Sequence, residues 1–406
     1  MSIQNEIDRI RENIAAAYGA VEELGGEIPA SDMRNSANLA EAILTIPVPP
    51  KIYGAAWTGG STVKLTRTDD ASQFPDPVPA VDSGSGSSPF DHIYPWSGMT
   101  KVTDELSNGQ ENVLVAIPKY WVKVSHNPFQ VQIAGKAVDG FQVSPAHRDR
   151  GDGAGERDVV YIGRYECDSS YMSRSGQTPL GNKNLAAFRS GIKNLGTGYW
   201  QRDFAMQLTL WYLYIVEFAN WDSQAVIGQG NSALDDVIDT GGTDSMTYHT
   251  GRAAGTDGQT AIQYRNIENL WGNLSELCDG IIAAETNICT YNNPSQFTSA
   301  YGGTNAVIRS NKAPSDAGYV TALGYDAADP TFIFPSAVGG SGATYIPDLC
   351  DAYFANTKAK AVNVGGHYHA SFSAAEDPGI FSTAVNTNAT TTYAWFGSRL
   401  QKLPAA

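Results

Sequence analysis

The first 24 residues repeat an apolar position at alternating steps of four and three: Ile3, Ile7, Ile10, Ile14, Ala17, Val21 and Leu24. That spacing puts all of them on one helical seam, with Glu6, Asp8, Arg9, Arg11 and Glu12 on the solvated faces. Isoleucine at both kinds of seam position in the first two heptads favours three or four parallel strands over two. So short a coil is marginal alone. The expectation is a homotrimer joined through Ile3, Ile7, Ile10, Ile14, Val21 and Leu24 and supported by other inter-chain contacts. The competing expectation is an amphipathic helix folded back on its own domain. Gly25-Gly26 and Pro29 end the pattern. A second short helix is predicted over Asn38 to Ile43, with Leu39 and Ile43 on one face and Ser36 as its cap. IPVPPK (46–51) then reads as an extended hinge, because consecutive prolines resist both helix and sheet.

From Lys51 onward the pattern changes to short apolar runs punctuated by Gly, Ser, Asp and Asn. STVKLTRT (61–68), NVLVAIPKYWVKV (112–124), FQVQIAGKAV (129–138) and DVVYIGRYEC (158–167) read as strands, and SGSGSS (83–88) as a flexible loop. One stretch, FAMQLTLWYLYIVEFANWDS (204–223), is apolar on nearly every face and is predicted to be a helix buried against a sheet. Strands, one buried helix, long loops and more strands add up to an α+β fold with mainly antiparallel pairing.

Composition narrows the partners. The chain has 406 residues, a net charge of -15 and only 17% charged residues. An acidic surface repels phosphate backbones, so no nucleic-acid partner is expected. The N-terminus is charged throughout and lacks the apolar core of a secretory signal, and the apolar stretch 207–221 is too short to cross a bilayer, so no membrane insertion is expected. Cys167, Cys278, Cys289 and Cys350 lie far apart without a CxxC, which reads as buried reduced thiols and synthesis in a reducing cytoplasm; a Cys278–Cys289 bridge stays open.

Candidate chemistry is sparse. In GGHYHASFSAAEDPGIF (365–381), His367 and His369 would share one face of a strand and could hold a metal, but a zinc site needs three or four ligands and nothing in the spacing brings Glu376 or Asp377 back. Exposed polar side chains are the plainer reading. HRDRGDGAGERDV (147–159) resembles a calcium loop in composition through Asp149, Asp152, Glu156 and Asp158. It fails the EF-hand spacing, because Gly151 and Gly153 take ligand positions, and reads as a solvated loop. There is no GxSxG, GxGxxG or Walker loop. No metal, cofactor or catalytic residue is expected.

Three stretches carry a resemblance: LWYLYIVEFANWDSQAVIGQG (210–230), QYRNIENLWGNLSELCDGI (263–281) and VNVGGHYHASFSAAEDPGIFSTAVNTNATTTYAWFGSRLQKLP (362–404). Their order resembles the C-type-lectin-like fold shared by formylglycine-generating-type enzymes and the variable proteins of diversity-generating retroelements, and is most similar to tail receptor-binding proteins of phages and prophages of Gram-positive bacteria. SPFDHIYPWSGM (88–99), IPKYWVKV (117–124) and the 143–167 stretch also have counterparts there. The resemblance implies an N-terminal helical oligomerisation and attachment segment (1–48), a hinge with a short β segment (49–88), and a C-type-lectin-like domain (89–406) with a variable-type region over about 362–400. It implies a tail-tip host-adhesion protein, made in the bacterial cytoplasm, that meets a protein or glycan receptor and joins other tail proteins through its N-terminus. The alternatives are a formylglycine-generating-type or glycan-acting enzyme, or a purely structural virion protein. The calcium-binding EPN, QPD and WND motifs of animal lectins and the paired cysteines of the oxidase are absent.

In that family the segment between GG and GxRL displays diversifiable side chains on a fixed scaffold. Aromatic and small polar residues suit such a surface, the first giving contact area and the second adapting around it. The expected outward set is His367, Tyr368, His369, Ser371, Ser373, Asn386, Thr387, Asn388, Tyr393 and Trp395, with Val364, Ile380, Phe381 and Phe396 in the core. Trp271, Gly272 and Asn273 are expected at a tight turn, and Arg399 at an internal carboxylate or carbonyl.

Overall fold

A computed structural model describes residues 3–46, 49–354, 358–368 and 378–404. The chain forms two compact units, Met1–Lys51 and Ile52–Ala406.

In the first unit, helix α1 (Ile3–Glu23) carries the heptad pattern, and α2 (Leu39–Leu44) follows. The two ends of the α1 seam differ. Tyr18 and Val21 are buried with Ala42 in a small core, with Ile14 against it, so Val21 is satisfied within the chain. Ile3, Ile7 and Ile10 are 83%, 39% and 49% exposed. The helix ends at the glycine pair, where Gly25 takes φ 79° and the Gly26 N–H donates to the Val21 carbonyl at 2.9 Å. Asn35, not Ser36, supports the start of α2: its Oδ1 accepts from the N–H groups of Ala37 (2.9 Å) and Asn38 (3.2 Å).

The second unit is α+β with mostly antiparallel strands. Residues 52–57, placed by the sequence in a hinge segment, form a strand that pairs antiparallel with Phe129–Ala134. NVLVAIPKYWVKV splits into two strands, Glu111–Pro118 and Trp121–His126, which enter different sheets. One helix was not foreseen: α3 (Leu185–Lys193), capped by Asn184, whose side chain accepts from the Ala187 N–H, and burying Leu185, Phe188 and Ile192. The buried helix, α4, runs Phe204–Phe218. The Asp203 carboxylate caps it through the Met206 N–H at 2.9 Å. Ala219 in the left-handed region ends it before the predicted end at Ser223, and a separate short helix, α5 (Ser223–Val226), follows.

Among the described residues the largest sheet has nine strands, and it is built from the C-terminal half. Its centre runs Ser275–Ala284, Lys360–Val364, Thr383–Val385, Ile346–Ala352. Side chains alternate across a strand, which gives this sheet two unlike faces. Val362, Val364, Cys350 and Val385 enter the main apolar core together with α4, Trp271, Ile380 and Phe381. The four cysteines are free and buried. Burial pushes the Cys350 thiol up to about 12.

A buried ionic cluster ties the C-terminus to this frame. Arg399 donates from Nε to Glu276 (2.9 Å), from Nη1 to the carbonyls of Gly163 (2.9 Å) and Arg164 (2.7 Å), and from Nη2 to those of Glu268 (2.6 Å) and Asn269 (3.0 Å). Arg202 meets the other Glu276 oxygen. Burial pushes the Glu276 carboxyl up, but the two guanidiniums outweigh this and hold it below its ordinary value. Beside it Glu166 forms no salt bridge among the described residues, and Arg399 acts on it only from a distance. Burial and the Glu276 charge push Glu166 up to about 8, although Asn273 donates to it at 2.6 Å and the Leu274 N–H at 3.1 Å. Asn273 sits at φ 62°, and Trp271 is buried with Nε1 on the Gly228 carbonyl at 2.8 Å. No helix is long and apolar enough to cross a membrane among the described residues.

Candidate functional site

The other face of the nine-stranded sheet carries a pocket of about 640 Å³. Strand register explains its floor. Asn363 lies opposite Ala384, and Ala384 lies opposite Asp351, so an amide, a methyl and a carboxylate stand in a row across three strands. Their neighbours Val362, Val364, Cys350 and Val385 point the other way, into the core. Alanine is the smallest side chain in that row, and the depression lies above it. Asn386, two residues beyond Ala384, donates from Nδ2 to Asp351.

The aromatic wall comes from the segment before the final strands. The rings of Tyr393 and Trp395 stack at 4.6 Å with 5° between their planes, and the His367 imidazole lies 5.4 Å from Trp395. Backbone bonds fix this wall. The Trp395 carbonyl accepts from the Ser275 N–H at 2.9 Å, and that of Tyr393 from the N–H groups of Asn182 (3.0 Å) and Phe396 (3.1 Å). Ser315, Asp316 and Tyr353 also line the pocket. No lysine or arginine is among its described lining residues.

His367, Asn386, Thr387, Tyr393 and Trp395 of the expected set therefore line one pocket. Exposure corrects the expectation for two residues. His367 is 2% and Tyr368 9% exposed, because the Tyr368 N–H donates to the Asn273 carbonyl at 3.0 Å and draws the chain inward after Gly365-Gly366. Gly365 is at φ 89°, and a Cβ there would lie 2.7 Å from the Leu270 carbonyl oxygen. Thr387 and Asn388 are half-buried. The Thr387 carbonyl accepts from Ala361 at 3.0 Å, and Asn388 Oδ1 from Lys360 Nζ at 3.0 Å. His369, Ser371 and Ser373 lie outside the described residues. Val364, Ile380, Phe381 and Phe396 are all buried.

Sequence reasoning missed the residues contributed by other parts of the chain: Asp316 and Tyr353 beside strands, Asp351 on one and, most of all, Asn363. Asn363 is 2% exposed, and neither Oδ1 nor Nδ2 has a hydrogen-bond partner among the described residues. A buried unpaired polar group costs about 1–3 kcal/mol, so such a group marks a place where a partner is wanted.

A smaller cleft of about 290 Å³ lies at the start of α4. Its guanidiniums are engaged: Arg150 with Asp203 (2.6 Å), Arg148 with Asp329 (3.1 Å) and Arg309 with Asp326 (2.9 Å). The RGD arginine is thus internal. The carboxylates of the calcium-like loop also have protein partners, Asp152 with Arg157 (2.5 Å) and Asp158 with Lys119 (2.6 Å). Among the described residues no three His, Cys, Asp or Glu side chains gather as a metal site. No protein-family model and no curated protein matches the chain.

Proposed function

We propose that the protein is a phage or prophage tail-tip receptor-binding protein, with a C-type-lectin-like scaffold that meets a host-cell surface receptor through the pocket on its nine-stranded sheet. One observation carries the reading. Five residues read from sequence as display positions converge on one pocket, while Arg399 and Trp271, read as scaffold, are locked in the interior. A frame held this firmly tolerates change on the wall without losing its shape, which is what a recognition surface requires.

The N-terminal helix supplies multivalency. Its exposed Ile3, Ile7 and Ile10 form one apolar edge, and association into a homotrimer covers it. Three pockets facing one cell convert a weak single contact into durable attachment. The N-terminus also offers the join to other tail proteins.

The test is adsorption of the labelled protein to a panel of Gram-positive cells. Replacing Tyr393 and Trp395 together by serine is expected to abolish adsorption while the thermal unfolding midpoint stays within about 3 °C. Adsorption that survives both replacements contradicts the assignment.

A further inference from the structure

We propose that the pocket on the nine-stranded sheet receives an organic cation, an alkylammonium group carried by the receptor; this rests on the receptor-binding reading above. The inference starts from the sign of the charge in the wall. Asp316 and Asp351 line the pocket, and no lysine or arginine is among its described lining residues. Asp351 accepts from the neutral Asn386 amide, and Asp316, itself exposed, from the Ser315 hydroxyl at 2.7 Å. Each such bond takes one of about four acceptor positions on a carboxylate and leaves its charge uncancelled. The Lys360 ammonium lies close by but is buried: the residue is 2% exposed, and Nζ donates to Asn388 Oδ1 at 3.0 Å and to the Asn386 carbonyl at 3.3 Å.

The aromatic wall agrees. A ring is negative on its faces, which gives a cation an electrostatic attraction that a neutral group of the same shape lacks. Tyr393 stacks on Trp395 yet stays 40% exposed, and Tyr353, 62% exposed, lines the same pocket. Carboxylates beside ring faces meet both parts of an alkylammonium, its charge and the apolar stem that carries it. Other ligand classes fit less well. A carboxylate or phosphate is repelled by Asp316 and Asp351, and a neutral ligand desolvates them without supplying a counter-charge. A bare metal ion lacks its ligands, because among the described residues no three His, Cys, Asp or Glu side chains gather. The volume of about 640 Å³ suits a group with an organic body.

Three five-carbon probes that differ in charge test this on the full chain: pentylammonium, pentan-1-ol and pentanoate. Their binding is followed by ligand-observed NMR titration at about 20 mM salt, where screening is weak. Pentylammonium is expected to bind at least tenfold more tightly than pentan-1-ol, with pentanoate weakest, and the preference is expected to shrink at about 0.5 M salt. Because the whole chain carries a net charge of -15, the place of binding is tested as well. Ala384→Phe, which fills the floor, is expected to abolish pentylammonium binding. Asp316→Asn, which keeps an acceptor for Ser315, is expected to weaken it at least threefold with the thermal midpoint unchanged. Equal affinity for pentylammonium and pentan-1-ol, a preference for pentanoate, no binding of any probe, or pentylammonium affinity retained in either variant each overturns the proposal. The comparison of probes on the unmodified chain stands even if a variant does not fold. Cell adsorption separates the two levels. Adsorption that is lost on replacing Tyr393 and Trp395, in a protein without the ammonium preference, refutes the ligand class alone, whereas adsorption that survives those replacements refutes the receptor site itself.

Discussion

Replacing Arg399 by lysine preserves charge and removes geometry. The guanidinium satisfies Glu276 and four backbone carbonyls, from residues 163, 164, 268 and 269, in a space where both Arg399 and Glu276 are essentially unexposed. An ammonium has three donors on one atom and cannot span those directions. At least two carbonyls lose the guanidinium; that of Arg164 keeps the Glu268 N–H at 2.9 Å, and each buried carbonyl left unpaired costs about 1–3 kcal/mol. The buried pair with Glu276 is weakened as well, and breaking such pairs costs about 3–5 kcal/mol. A net loss of about 4 kcal/mol is expected. At roughly 2.1 cal/mol/K of unfolding entropy per residue, a unit of this length loses about 5 °C in Tm. Differential scanning calorimetry of the purified chain gives the number. A shift below 1 °C would refute the claim that Arg399 is the lock of the scaffold.

Other consequences follow from the same contacts. Because Glu166 titrates at about 8 in the folded chain against an ordinary 4.5, the folded state holds a proton between those values that the unfolded chain has released. Its contribution to stability is therefore complete below pH 4.5 and falls as the pH rises through 8; Glu166→Gln should flatten that fall, seen as urea midpoints that differ less between pH 5 and pH 8 than in the parent. Gly365→Ala places a Cβ against the Leu270 carbonyl at positive φ and should cost about 2 kcal/mol or more, measured by chemical denaturation. If the proposed homotrimer forms, aspartate at both Ile7 and Ile10, which are exposed within the single chain, should leave the far-ultraviolet dichroism unchanged while the mass from light scattering falls from three chains to one.

The sequence was most informative where one element decides its own fate. α4 is apolar on nearly every face, so its burial could be read directly, as could Arg399 beside a short closing strand. The N-terminal seam was legible as a helix but not as to its partner, since Val21 and Tyr18 find Ala42 inside the same chain while Ile3, Ile7 and Ile10 do not. α3 was missed although Leu185, Phe188 and Ile192 keep helical spacing, because Gly191 interrupts the pattern at the point where the Tyr171 ring presses against the backbone. The pocket floor was out of reach for a different reason. Asn363, Ala384 and Asp351 are ordinary alternating strand positions, and only the register of three distant strands brings them into one row. The inward turn of His367 and Tyr368 likewise depends on a bond to Asn273, nearly a hundred residues earlier in the chain.

The most direct test of the account is adsorption by the Ala384→Phe protein. A phenyl group on the floor, between the Asn363 amide and the Asp351 carboxylate, fills the pocket from below and leaves the Tyr393–Trp395 wall in place. Labelled protein bound per cell, measured by flow cytometry against the parent chain at equal concentration and with unfolding midpoints matched, should fall at least tenfold. Adsorption equal to that of the parent would show that the cell is met somewhere other than this pocket.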